Sequence, residues 1–190
     1  MTSADTYSRT ARWLHWTIAL LIIFMLIGGK VMENIPREET SLRVFVYGWH
    51  KTFGIVILVL SFVRLFWRLG HKPPPLPAHM PAWERMAAMG THAAFYIFMI
   101  AMPLIGWAIT STSRYPSKIF QVVPLPALPG LGDLGDKRAE LHEFFENAHE
   151  KLAYLAMALI ALHVAAALKH HYKDKDDVLA RMIPRLKKDV

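Results

Sequence analysis

The sequence predicts an all-α fold, an integral membrane four-helix bundle with both termini cytoplasmic. Three observations carry that prediction. Four stretches of about 17 to 22 residues are almost free of charge, the length a helix needs to cross a hydrocarbon layer about 30 Å thick. A chain of 190 residues has no soluble core able to hide four such segments. The basic residues sit at segment ends rather than in one patch, which fits membrane flanks and not a nucleic-acid surface; no nucleic-acid partner is expected. The absence of cysteine further excludes a disulfide scaffold, a thiolate zinc site, an iron–sulfur cluster and covalent haem attachment through C-x-x-C-H.

Residues 1–190 read as a single membrane domain. The first helix is expected over about 13–31, beginning LHWTIALLIIFMLIGG. This run is longer than a signal-peptide core and no small-x-small cleavage site follows it, so it reads as a retained anchor. The second helix, about 44–67, is rich in Ile, Val, Leu and Phe. The third, about 91–110, contains Pro103 and Gly106, which predict a kink that a bundle can absorb. The fourth, about 151–168, reads KLAYLAMALIALHVAAAL, and its alanines suit close helix packing in lipid.

Residues 32–43 make a short charged loop, and the PPPLP run within 70–83 cannot be helical throughout. Residues 111–139 are the longest connection, punctuated by Pro116, Pro124, Pro126 and Pro129. Their FQVVPLPAL segment is too short to span, so it is expected at the interface or folded back over the bundle end. The stretch 172–190 alternates charge with Leu, Met and Ile, and reads as a cytoplasmic tail with a short surface helix.

Charge sets the orientation. The side with the N-terminus, the 64–85 region and the tail holds thirteen Lys and Arg against six acids: Asp5, Glu84, Asp174, Asp176, Asp177 and Asp189. The other side holds nine of each and sums to zero. The positive-inside rule places the basic side in the cytoplasm.

Ten histidines are many for this length, and their placement matters more than their number. His149 and His163 lie fourteen residues apart, about 21 Å along a helix and on nearly the same face. His142 and His170 extend that stripe in steps of seven, and small Ala156 lies between the pair. By depth, His15 matches His163 at the cytoplasmic level and His50 matches His149 at the outer level. Two imidazole pairs at two depths, each contributed by different helices, fit two bis-imidazole haem irons stacked across the membrane. Gly54, one turn after His50, offers space for a ring plane. Propionates need cations, and Arg64, inside the second helix, is the favoured partner; Arg68, Arg12 and Lys169 lie at its level. His71, His79 and His171 read as ordinary polar residues. So does His92, which starts the predicted third helix without a partner at its depth.

Three segments resemble the bacterial cytochrome b561 family, which includes the membrane haem subunits of nickel–iron hydrogenases: YSRTARWLHW, VYGWHKTFGIVILVLSFVRLFWRL, and HEKLAYLAMALIALHVAAALKHHYKDKDDVLARMIP. The resemblance covers nearly the whole chain and is weakest in 111–139. It implies a four-helix bundle with two haem b groups, with His15 and His163 on the inner iron and His50 and His149 on the outer. The length and the KHHY exit resemble the superoxide oxidase branch, which implies an oxidoreductase of the bacterial inner membrane. It would oxidise superoxide at the periplasmic side and reduce ubiquinone. His170 would then serve a quinone site or relay a proton. Lys51, with Lys137, Arg138 and Lys151, would steer the anion, although the outer side as a whole is neutral and carries Glu140, Glu143, Glu146 and Glu150. Two other readings remain open. One is a haem-carrying membrane subunit passing electrons between a periplasmic redox partner and quinone. The other is a colourless transporter whose histidines bind metal or relay protons.

Overall fold

A computed structural model describes residues 6–115 and 117–186. The expectations that involve Asp5, Pro116, Lys187, Lys188 and Asp189 fall outside the described residues. Four helices long and apolar enough to cross a membrane dominate the chain: α1 (Arg9–Glu33), α2 (Thr40–Gly70), α3 (Ala82–Thr112) and α4 (Arg138–Lys169). Helix α1 packs on α2, α2 on α3, and α3 on α4, giving a membrane four-helix bundle.

Each helix outruns its apolar stretch, because only the hydrocarbon-crossing part needs to be apolar while polar turns continue the same hydrogen-bond ladder. Ser8 caps α1, its hydroxyl accepting from the Ala11 amide at 3.2 Å. Helix α3 starts just after Pro81, whose fixed φ suits a helix entry, nine residues ahead of the expected Thr91. It stays one helix through buried Pro103. Helix α4 starts thirteen residues earlier than expected, led in by a 3₁₀ turn (Gly135–Lys137), so His142 and His149 share one helix with His163.

The burial pattern is that of a lipid-solvated protein. Leu20, Ile27, Phe66, Ile97 and Leu162 are exposed on the outer faces, whereas Thr52 and Ser61 are fully buried. Those hydroxyls donate to the carbonyls one turn back, Thr52 to Gly48 at 2.9 Å and Ser61 to Ile57 at 2.7 Å, so neither is stranded where hydrocarbon surrounds the bundle.

The 111–139 connection folds back over one bundle end. It forms a small antiparallel hairpin of β1 (Lys118–Ile119) and β2 (Val123–Pro124). Its turn residues Phe120 and Gln121 have φ of 52° and 62°, a left-handed conformation costly for non-glycine residues. Contacts with α2 hold it: the Phe120 amide donates to Thr52 Oγ1 at 2.9 Å and Lys51 Nζ donates to Ser117 Oγ at 2.8 Å. Farther along, Trp107 Nε1 donates to the Pro126 carbonyl at 2.8 Å.

At the opposite end, the start of α1, the α2–α3 connection and the segment after α4 meet. Trp67 Nε1 donates to Ser8 Oγ at 3.2 Å, and Trp16 Nε1 to the Met182 carbonyl at 3.3 Å. Among the described tail residues the expected surface helix does not form. A π-type turn (His170–Asp174) ends α4, turns follow, and only a 3₁₀ turn (Pro184–Leu186) appears beyond. Pro184 lacks the amide an α-helix would need, and tertiary contacts absorb the segment instead: Ala180 is buried and Arg181 donates to the Pro75 carbonyl.

Thr52→Val keeps shape but removes the acceptor of the Phe120 amide and should destabilise the hairpin by about 1 kcal/mol. Faster proteolysis within 117–124, with the helices intact by circular dichroism, is the expected outcome.

Candidate functional site: two histidine pairs

Two imidazole pairs stand at two levels of the bundle. His15 of α1 faces His163 of α4 with ring centroids 6.3 Å apart and planes 58° apart. His50 of α2 faces His149 of α4, also at 6.3 Å, with planes 67° apart. An imidazole nitrogen sits about 2 Å from a bound metal ion and about 1 Å from its own ring centre, so two rings sharing one ion have centroids about 6 Å apart. Both separations match that requirement. Ala156, between the two levels on α4, is 1% exposed.

The hairpin-side pair borders a cavity of about 330 Å³ lined also by Met25, Gly54, Gly106 and Trp107. Gly54 is open: a Cβ there would meet only Met25 Cε, at 3.9 Å. Gly106 is tight, since a Cβ would lie 3.3 Å from His149 Cε1. His149 Nδ1 is buried without a hydrogen-bond partner. An orphaned polar atom costs about 1–3 kcal/mol, which marks this ring as held for more than packing.

The other expected site residues fall into place variously. Arg64 is inside α2, and its guanidinium lies over the Tyr96 ring at 5.8 Å from the centroid; Arg68 shares that ring at 5.6 Å. Lys51 lines the cavity beside His50 and His149, but Ser117 engages its ammonium, so it is not a free surface cation. His170 lies at the end that carries both termini, its Nδ1 2.7 Å from Asp176 Oδ2. Glu84, His170 and Asp174 present donor atoms within 4.8 Å of one another, yet the Lys169 ammonium bridges the two carboxylates.

His92 requires a correction. Because α3 starts at Ala82, His92 lies a full two turns inside the helix, and its ring meets the edge of His163 at a centroid separation of 5.8 Å. Its Nδ1 donates to the Ala88 carbonyl at 2.7 Å. It therefore has a partner at its depth. His71, by contrast, stacks on Trp67 at 4.0 Å, and His142 bonds Thr112 Oγ1 at 2.9 Å. Sequence reasoning also passed over Gly106 as a His149 contact and Asp176 as a His170 partner; neither carries a local signal.

The sequence profile described as prokaryotic cytochrome b561 matches residues 6–185. The chain belongs to the prokaryotic cytochrome b561 family. It is 32% identical over 183 residues to cytochrome b561 homolog 1 of Escherichia coli K12, covering 96% of this chain and 99% of that protein. It is 30% identical over 193 residues to cytochrome b561 homolog 2 of the same organism, covering 97% and 95%. It is 32% identical over 180 residues to the probable superoxide oxidase CybB of Yersinia pestis, covering 94% and 96%. Membership makes this b561 protein a bacterial membrane protein with a redox role, and it implies b-type haem. The donor chemistry agrees: paired neutral imidazoles suit haem iron, and the 6.3 Å centroid separations leave room for an ion between the rings of each pair.

Gly106→Ala should displace the His149 ring by a few tenths of an ångström, because of the 3.3 Å contact. An optical redox titration should then show one haem shifted and any other unchanged. Gly28→Ala, whose Cβ meets nothing within 4 Å, should leave the titration as in the parent protein.

Proposed function

We propose that this b561 protein is a di-haem cytochrome that carries electrons from superoxide at the hairpin end to ubiquinone at the end bearing the termini. The equal 6.3 Å separations of two imidazole pairs carry this reading. His50 and His149 would hold one haem b, His15 and His163 the other. Haem supplies a reversible one-electron iron couple at each level.

The chain's own residues do the rest. His15 with His163, and His50 with His149, would hold a haem iron at each level and leave oxygen no ligand position, so the residues favour outer-sphere electron transfer over oxygen binding. Trp107 and Leu125 line the cavity at one end, and Trp107 Nε1 is tied to the Pro126 carbonyl. Arg64 and Arg68, stacked over Tyr96, put two cations at the level of His15 and His163, where propionates would need them. Lys51 keeps the neighbourhood of His50 positive while tied to Ser117. The reaction balances as two superoxide ions giving two electrons and leaving as dioxygen, with ubiquinone taking two electrons and two protons to become quinol. The basic end, with both termini, would face the cytoplasm of a bacterium whose inner membrane holds the protein.

The neutral outer side and the engaged Lys51 favour a second reading, a haem subunit taking electrons from a periplasmic redox protein. Stopped-flow decay of superoxide with ubiquinone present separates the two. Catalysed decay by the isolated protein supports the first, and no catalysis with a copurifying redox partner supports the second.

A pyridine haemochrome assay should give two haem b per chain. His50→Ala and His15→Ala should each leave one, and the double variant none. Unchanged haem content in the double variant would overturn the ligand assignment.

A further inference from the structure

The end of α4 is built around one imidazole. After Lys169 the helix widens into the π-type turn His170–Asp174, and Lys175 takes a left-handed conformation with φ of 54°. That reversal returns the chain onto His170, where the Asp176 amide donates to the His170 carbonyl at 3.1 Å. Both oxygens of Asp176 are then committed. Oδ1 accepts from the Val178 amide at 3.0 Å, and Oδ2 sits 2.7 Å from His170 Nδ1. The two side chains are 6% and 12% exposed, so this is not a solvated tail contact. π-type turns recur at functional sites because they re-aim side chains.

The surrounding charges single out Asp176. Lys169 from α4 is divided between Glu84 of α3 and Asp174. Asp174 also approaches His170 Nδ1 at 3.2 Å, but its charge is already met by that lysine. Asp176 has no lysine or arginine among its described ion-pair partners; facing it are His170 and the exposed His79, whose Nε2 stands 3.8 Å from the same Oδ2. Its charge is thus balanced by an imidazole. Since Nδ1 is engaged, Nε2 is the nitrogen left to act. Seven residues, about 10 Å of helix, separate His170 from His163.

We propose that Asp176 is a positioning residue that holds His170 protonated, with Nε2–H presented as the proton donor for quinone reduction. The inference rests on the reading that ubiquinone is reduced at this end. Each quinone oxygen that becomes a hydroxyl needs one proton as electrons arrive from the haem side. The His170 Nε2–H bond breaks and the quinone O–H bond forms. The ring is left neutral with its Nδ1–H still on Asp176, and regains a proton from water at the basic end. A carboxylate behind an imidazole favours the charged ring, the form that carries the Nε2 proton to be given up.

The test uses the full haem-loaded protein with Asp176→Asn, Asp176→Glu and His170→Ala. Asp176→Asn should slow quinone reduction about tenfold at neutral pH, with activity falling off at lower pH than in the parent protein. Asp176→Glu should restore much of the rate. His170→Ala should be slow and partly rescued by added imidazole. Haem content and reduced spectra should be unchanged in all three. Independently of turnover, ¹⁵N-histidine NMR should show His170 losing its proton at lower pH in Asp176→Asn. A parental pH profile and a parental His170 titration in Asp176→Asn would overturn the proposal, as would haem loss in both Asp176 variants. If the parent protein reduces no quinone, the functional reading fails, while the His170 resonance still decides whether Asp176 keeps the ring charged.

Discussion

A buried imidazole in a lipid-solvated bundle must have a partner, and that requirement organises this molecule. Hydrocarbon cannot hydrogen-bond a ring nitrogen, and a polar group left alone costs more there than the weak forces between membrane helices return. Two imidazoles on facing helices, separated by the span of one bound ion, meet the requirement at two depths. The neighbouring positions give way to them. Ala156 keeps α4 narrow between the levels, and Gly106 lets His149 lie against α3. The outward faces carry the bulky apolar side chains that a soluble protein would hide.

The two ends of the bundle solve different problems. One is closed by a hairpin whose two left-handed, non-glycine turn residues are held by the helix that also carries His50, Phe120 through Thr52 and Gln121 through the Phe45 carbonyl. The strain is tolerated because α2 fixes both sides of the turn. The other end is polar and ion-paired: Glu84, Lys169, Asp174, His170 and Asp176 form one connected network. On the proposed reading, electrons enter under the hairpin and protons are supplied at the network, so the chemistry is divided between the ends as the structure is.

Much of this was legible in the sequence because membrane helices obey simple rules. Charge-free runs marked the four spans, and heptad spacing aligned His149 with His163 on one face of α4. Depth matching across helices paired them with His50 and His15, and the rings of each pair lie with centroids 6.3 Å apart. What escaped the sequence depended on where polar turns begin and end. His92 looked terminal because hydropathy starts the third helix at Thr91, whereas Pro81 starts it at Ala82 and carries His92 inward to His163. Asp176 looked like one charge in a solvated tail, and only the reversal at Lys175 brings it to His170. The tail's alternation of Leu and charge suggested a helix, yet Pro184 and contacts with the α2–α3 connection left only turns. The FQVVPLPAL segment was too short to span, but its length could not specify a hairpin.

The central claim is that each iron lies between two imidazoles. Low-temperature electron paramagnetic resonance of the oxidised protein tests it most directly. The account predicts two low-spin ferric signals, both strongly anisotropic because the paired rings are tilted by 58° and 67°, and no high-spin ferric signal. A high-spin signal of haem stoichiometry, or a single low-spin species, would contradict it.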